Sequence, residues 1–284
     1  MGYLLNITAK FLEGIVVSAG AHLTVTVTGI FFLAMPVTYA SGAYVMVIAQ
    51  KMGAPLTLAI SLSLLFAMCI AVFFAMAYTR MSQDSYAVLT LASVVATDAL
   101  IRSWDSVTGG VLGIAGISRP EFLKGLPALV VGQLVIALLV IGAEYFILKT
   151  HMGRHLRALK ESKTSLSSLG ISWKETGATI VILAVILSAL SGILTIWRIQ
   201  YLDPSFSGVP ILLTSLTVAI LAHKPKAASL VIATALIVFI PELLRFFHFS
   251  SVILGQIRIL LYSALVIIMI RTLSPKGVMA NRSY

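Results

Sequence analysis

Charge is scarce in this chain of 284 residues: only 11% of its side chains are Asp, Glu, Lys or Arg, against roughly 25% in an ordinary soluble domain. With 59% hydrophobic residues, that scarcity excludes a water-soluble globule. Cysteine is nearly absent as well. Cys69 stands alone, and a single thiol cannot close an intrachain disulfide, which excludes a disulfide-stapled secreted scaffold. Acidic residues number 10 against 20 basic ones, a net charge of +10. Such a surplus ordinarily suggests nucleic acid. Here the charges fall between long apolar runs instead of along polar, helix-forming sequence, so no nucleic acid partner is expected. The phosphate loop G-x-x-x-x-G-K-S/T is missing. The five histidines, His22, His151, His155, His223 and His248, show no zinc-site spacing with cysteine or carboxylate. The chain therefore reads as a non-enzyme with no cofactor or metal of its own.

What is present is long apolar sequence. A helix needs about 20 mostly apolar residues to cross the hydrocarbon of a bilayer, where only helices or closed barrels satisfy the backbone. Seven stretches qualify: 56–77, 85–101, 127–148, 177–197, 209–221, 227–244 and 254–270. Ahead of them an apolar stretch over 15–50 is interrupted at Pro36. It is too long for one span and short for two, and fits either a span followed by a broken helix or one helix with a proline kink. Lys10 and Glu13 interrupt the start of the chain, and no cleaved signal peptide is expected. The fold expected is an all-α polytopic membrane protein, one domain over 1–284, with about nine membrane segments (range 8 to 10), one of them discontinuous.

Short cytoplasmic loops retain Lys and Arg. The largest polar interruption carries Lys149, Arg154, Arg157, Lys160, Lys163 and Lys174, so it is placed inside. Alternation then puts Arg80, the 223–226 turn and Arg271, Lys276 and Arg282 on that side. This gives a multi-pass protein with its C-terminus in the cytoplasm. Twelve of the 20 basic residues fall inside, and nearly all of the net charge with them. Lys10, Lys51, Arg102, Arg119, Lys124, Arg198, Arg245 and Arg258 fall outside.

Three features could carry function. On the span 85–101, Tyr86, Thr90, Ser93 and Thr97 recur at helical spacing on one face; such a stripe can line a hydrated path or join helix to helix. Over 153–170, Leu156, Leu159, Leu166 and Leu169 make an apolar edge beside Arg154, Arg157, Lys160 and Lys163, with Gly170 as a helix stop. An amphipathic segment of this kind lies on anionic lipid or docks into a partner. Over 104–120, Gly109, Gly110, Gly113 and Gly116 permit a tight fold against the membrane domain or a flexible loop. Asp98 and Glu144 are the acids expected within the spans, with Asp98 set four residues from Arg102 for a helical ion pair.

These residues resemble a family, the inner-membrane permease subunits of bacterial ABC importers for branched-chain amino acids, in particular the LivM-type member of the pair. T-G-G-x-x-G at Thr108 to Gly113, followed by G-I-x-R-P at 116–120, is similar to that family's external loop. D-S-Y-A-V-L-T-L-A at 84–92 resembles its D-Y-x-A-L-V-T-L-A pattern, and G-R-x-L-R-A-x-x-E at 153–161, closed by L-G-I at 169–171, resembles its ATPase-docking segment. G-A-Y at 42–44, P-E-L-L-R-F at 241–246, L-L-Y at 260–262 and P-K-G at 275–277 also fit. The chain departs from the family at 32–36, where many members have S-L-G-H, and at Lys163 to Ser168, where many are acidic.

The resemblance implies an ABC importer permease bundle in the bacterial inner membrane. Its implied partners are a second homologous permease subunit, two ATPase subunits holding ATP and Mg, an extracytoplasmic solute-binding protein, and membrane lipid. It further implies ATPase docking over 150–171 through Gly153, Arg154, Arg157, Glu161, Leu166 and Gly170, a substrate pathway at Tyr86, Thr90, Ser93 and Thr97, and an external loop at Thr108, Gly109, Gly110 and Gly113. The solute expected is small and polar: a branched-chain amino acid, urea, an amide or a nucleoside. An ion-gradient-driven secondary transporter and a passive small-solute channel are the competing readings, and a membrane scaffold is the competing non-transport class.

Overall fold

The computed structural model describes residues 2–244, together with Leu260 and Ala264. The expected span 254–270, the basic residues Arg245, Arg258, Arg271, Lys276 and Arg282, and the resemblances at 245–246, 261–262 and 275–277 lie outside the described residues.

Apart from one two-residue ladder the described chain is helical. The order is α1 (Gly2–Ala21) running into a π-helical turn (His22–Val27), then α2 (Met35–Lys51), α3 (Leu56–Arg80), α4 (Gln83–Ser103), α5 (Asp105–Thr108), α6 (Leu126–Lys149), α7 (His151–Glu161), α8 (Lys163–Ser168), α9 (Trp173–Ile199), α10 (Val209–Leu221) and α11 (Ala227–Leu244). Among the described residues five helices are long and apolar enough to cross a membrane: Gly2–Val27, Leu56–Arg80, Gln83–Ser103, Leu126–Lys149 and Trp173–Ile199. The protein is an all-α, multi-pass membrane protein. Helix starts follow local chemistry. Ser82 and Ser172 accept from the amides of Ser85 and Glu175 at 3.3 Å, and Pro36, Pro127 and Pro210 occupy first-turn positions where no amide is needed.

Two expectations for the N-terminal region are corrected. Lys10 and Glu13 do not precede the first span; they lie within a helix that begins at Gly2. Pro36 neither kinks nor breaks a helix: it opens α2, and the chain is unwound before it, over 28–34. Gly29, at φ +71°, turns the chain out of the π-turn, a conformation that costs other residues a clash at Cβ. The break in this stretch lies some residues earlier than the proline suggests.

α9 is the central post. Its Ser188 hydroxyl donates to Met35 O at 2.8 Å, and Gly192 lies so close to Tyr39 O that a Cβ there would overlap it. Gly42 on α2 is in the same position against Ala189. Small residues allow this backbone approach, which is how membrane helices gain packing without a hydrophobic drive between them. Outside this centre α3, α4 and α6 present apolar side chains outward, including Leu65, Val88, Val95, Leu139 and Phe146, as a lipid-facing layer does.

Contacts sort the connections into two ends of the bundle. At one end Lys160, Gln83 and the 223–226 turn converge on the end of α1: Lys160 Nζ donates to Thr26 O at 2.8 Å, Gln83 Nε2 to Gly29 O at 2.8 Å, and His22 Nε2 lies 3.1 Å from Lys224 O. At the other, Ile114–Ala115 (β1) pairs antiparallel with Tyr201–Leu202 (β2), in the register Ile114 to Leu202. The segments expected on opposite sides of the membrane are at opposite ends.

Candidate functional site

At the first end the segment after α6 folds back beneath the bundle. It forms two helices, α7 and α8, separated at Ser162, where the leucine spacing suggested one. Gly153 sits against the carbonyls of Ile147 and Leu148, where a Cβ would overlap both, so the corner between α6 and α7 closes only with glycine. Arg157 donates to Leu148 O at 3.2 Å and so satisfies a carbonyl left free at the end of α6. Leu156, Leu159 and Leu166 are buried in the bundle core; Leu156 clusters with Leu23, Val27, Leu148 and Ile180. Leu166 thus anchors the segment and is not part of its outer surface. Gly170 adopts φ +75° just past α8, as expected of a helix stop. What remains outward is Arg154, Lys160, Glu161, Thr164 and Ser167, with Leu169 71% exposed.

At the second end the glycine-rich loop is tightly folded. Thr108 Oγ1 donates toward the carbonyls of Ile101 and Trp104 at 2.6 and 2.7 Å and accepts from the Gly110 amide at 3.2 Å. Gly109, Gly110, Gly113 and Gly116 all have positive φ. A Cβ on Gly113 would overlap Leu202 O, so this glycine is what allows the β1–β2 ladder. Arg119, from the G-I-x-R-P motif, donates to Trp197 O, and to Arg198 O at 2.9 Å. It ties the loop to the end of α9.

The polar stripe of α4 is divided. Tyr86 and Thr90 are buried, Ser93 and Thr97 half-buried. Tyr86 packs against Phe32 and Tyr78, and Thr90 Oγ1 accepts from the Leu33 amide at 3.3 Å. These two hold the unwound segment 28–34 against α4. The Asp98 to Arg102 ion pair forms at 2.8 Å, and Asp98 also accepts from Ser207 at 3.0 Å.

Two buried acids have partners that were not evident in the sequence. Glu13 accepts from Arg198 at 2.8 Å, Gln133 at 2.7 Å and Thr195 at 3.1 Å, joining α1, α6 and α9. Its partners lie more than 100 residues away, so hydropathy registers only an interruption of the first helix. Beside it a cavity of about 250 Å³ is lined by Lys10, Tyr39, Ser191 and Thr214. Glu144, expected within a span, is buried and paired with His22. Burying a charge without such a partner would be prohibitive. Among the described residues no group of three or more His, Cys, Asp or Glu could hold a metal ion.

No curated protein and no solved structure matches the chain. The sequence profile of one family, described as the branched-chain amino acid transport system / permease component, matches residues 3–270. That match takes in nearly every helix described above, and the chain belongs to this permease family.

Proposed function

We propose that the chain is a LivM-type transmembrane permease subunit of a bacterial ABC importer in the inner membrane, moving a small polar solute at the expense of ATP hydrolysed on partner subunits. A second homologous permease subunit would complete the pathway, two ATPase subunits would supply ATP and Mg, and an extracytoplasmic binding protein would deliver the solute to the glycine-loop end, at Thr108, Gly109, Gly110 and Gly113. The observation that carries the reading is the α7–α8 segment: a basic amphipathic pair with Leu156, Leu159 and Leu166 sunk in the bundle while Arg154 and Glu161 face outward. Membership of the permease family supports it.

In this reading Arg154 and Glu161 meet the ATPase. Arg157 and Leu166 hold the segment to the bundle, and Gly153 and Gly170 set its ends. Closure of the ATPases on ATP shifts the bundle between two states only in so far as ATP binds those states with different affinity. Ser93 and Thr97 offer uncharged donors and acceptors toward the pathway, and Tyr86 and Thr90 fix the helix that presents them. Solutes of this type are branched-chain amino acids, urea, short amides and nucleosides.

The test is uptake into proteoliposomes containing the assembled complex, with leucine, urea and adenosine as labelled probes. We expect uptake of a probe to require ATP and to survive collapse of proton and sodium gradients. Uptake that persists without ATP and collapses with a gradient would contradict the reading and point to a secondary transporter.

A further inference from the structure

The π-helical turn and the unwound segment after it are held from several elements: His22 pairs with Glu144 on α6 and lies against Lys224 O, Thr26 donates to Ala219 O on α10, and α4 and α7 add the rest. Gln83 and Thr90 on α4 reach Gly29 O and the Leu33 amide. From α7, Lys160 extends its ammonium to Thr26 O at 2.8 Å, and its Cγ lies at van der Waals distance from the space a Gly29 side chain would occupy. Carbonyls at a helix end lack intrahelical partners, and a charged donor makes roughly twice the bond that a neutral one does. π-Helical turns are rare and concentrate at functional sites. Between α4 and α7 lies a polar cleft of about 230 Å³, lined by Thr28, Gly29, Gln83, Lys160 and Lys163 among others.

The neighbouring cations make no such long-range link. Arg157 bonds Leu148 O at the adjoining helix end, and Arg154 pairs with His151 on its own helix. Lys160 bonds a carbonyl 134 residues earlier in the chain, on the element that leads directly into the unwound segment 28–34. Leu159 packs in the same core cluster as Ile30, Phe32 and Tyr86, so apolar contact follows the same line as the polar one.

We propose that Lys160 is a positioning residue for coupling: its bond to Thr26 makes α7 and the π-turn move together, so that displacement of the docking segment is delivered to the unwound segment 28–34. The inference rests on the importer reading, since it needs an ATPase to displace α7. It differs from that reading in naming where the motion goes. A shared two-state element that both sites bias is the physical requirement for such coupling, and in this proposal the π-turn takes that part.

The experiment measures amide hydrogen exchange over 24–34 in the complete complex in nanodiscs, with and without ATP and Mg, per mole of assembled complex. In the parental complex ATP changes the exchange rate there. With Lys160→Met we expect that ATP-dependent change to shrink by about tenfold, within the span of known coupling substitutions, and with Lys160→Arg to return to within about twofold of the parental value. A Lys160→Met complex that keeps the parental response overturns the proposal. So does a lost response that arginine does not restore, or a Lys160→Met chain that no longer binds the ATPases, which would make Lys160 a structural strut. A parental complex that binds ATPases but shows no response over 24–34 overturns the proposal alone, whereas a parental chain that binds no ATPase overturns the importer reading beneath it.

Discussion

The two ends of the bundle are built by opposite means. The glycine-rich loop is fixed by backbone: Thr108 bonds three main-chain groups, Gly113 admits the carbonyl of Leu202, and Arg119 binds the end of α9. The α7–α8 segment is fixed by side chains, three leucines sunk in the core and Arg157 and Lys160 bonded to carbonyls of the bundle, with Arg154 and Glu161 left on the surface. Backbone fixation leaves one geometry, and any added side chain disrupts it. Side-chain anchoring leaves a polar surface that can exchange partners while the segment stays attached to the helices it must move. In the proposed reading the difference gives rigidity to one end and transmission to the other.

The largest effect is expected where backbone fixation is tightest. Gly113 combines φ +67° and ψ −164° with contact against Leu202 O. Gly113→Val should lower stability by about 3 kcal/mol, from strain and overlap together. Gly116 also has positive φ but has no atom within 4 Å of a Cβ; Gly116→Ala should cost about 1 kcal/mol. Thermal unfolding of the two variants in detergent separates these values, and equal costs would show that the loop is not held by the β1–β2 contact. The smallest effect on folding is expected at the other end. Arg154 is exposed, and Arg154→Glu should change stability by about 0.5 kcal/mol or less while weakening ATPase association in a pull-down. A large loss of stability with unchanged association would reverse the comparison.

Much of this organisation is legible in the sequence because bilayers impose simple constraints. Unbroken apolar runs mark α3, α6 and α9, the four-residue spacing of Asp98 and Arg102 gives their ion pair, and Gly170 marks the end of α8. The basic surface of the α7–α8 segment is equally visible, since charge and leucine spacing are local. What the sequence hides is pairing at long range. Glu13 reads as an interruption of an apolar run because Arg198, its ion-pair partner, is 185 residues away. His22 and Glu144 give no local sign of their pairing across 122 residues, and Lys160 reads as one more surface cation. The break in the second segment was hidden for a different reason: proline is tolerated at the first turn of a helix, so Pro36 marked a beginning where an interruption was expected, and Gly29 made the turn.

The central claim is that the α7–α8 end, and not the glycine-loop end, meets the ATPase. The direct measurement is site-specific cross-linking in the intact complex, on a chain whose exposed Cys69 has been replaced by serine. Glu161→Cys should cross-link to the ATPase subunit, and Leu112→Cys, on the exposed tip of the glycine loop, should not. Cross-linking to the ATPase from Leu112→Cys, or none from Glu161→Cys in a complex that retains its ATPases, would contradict the account.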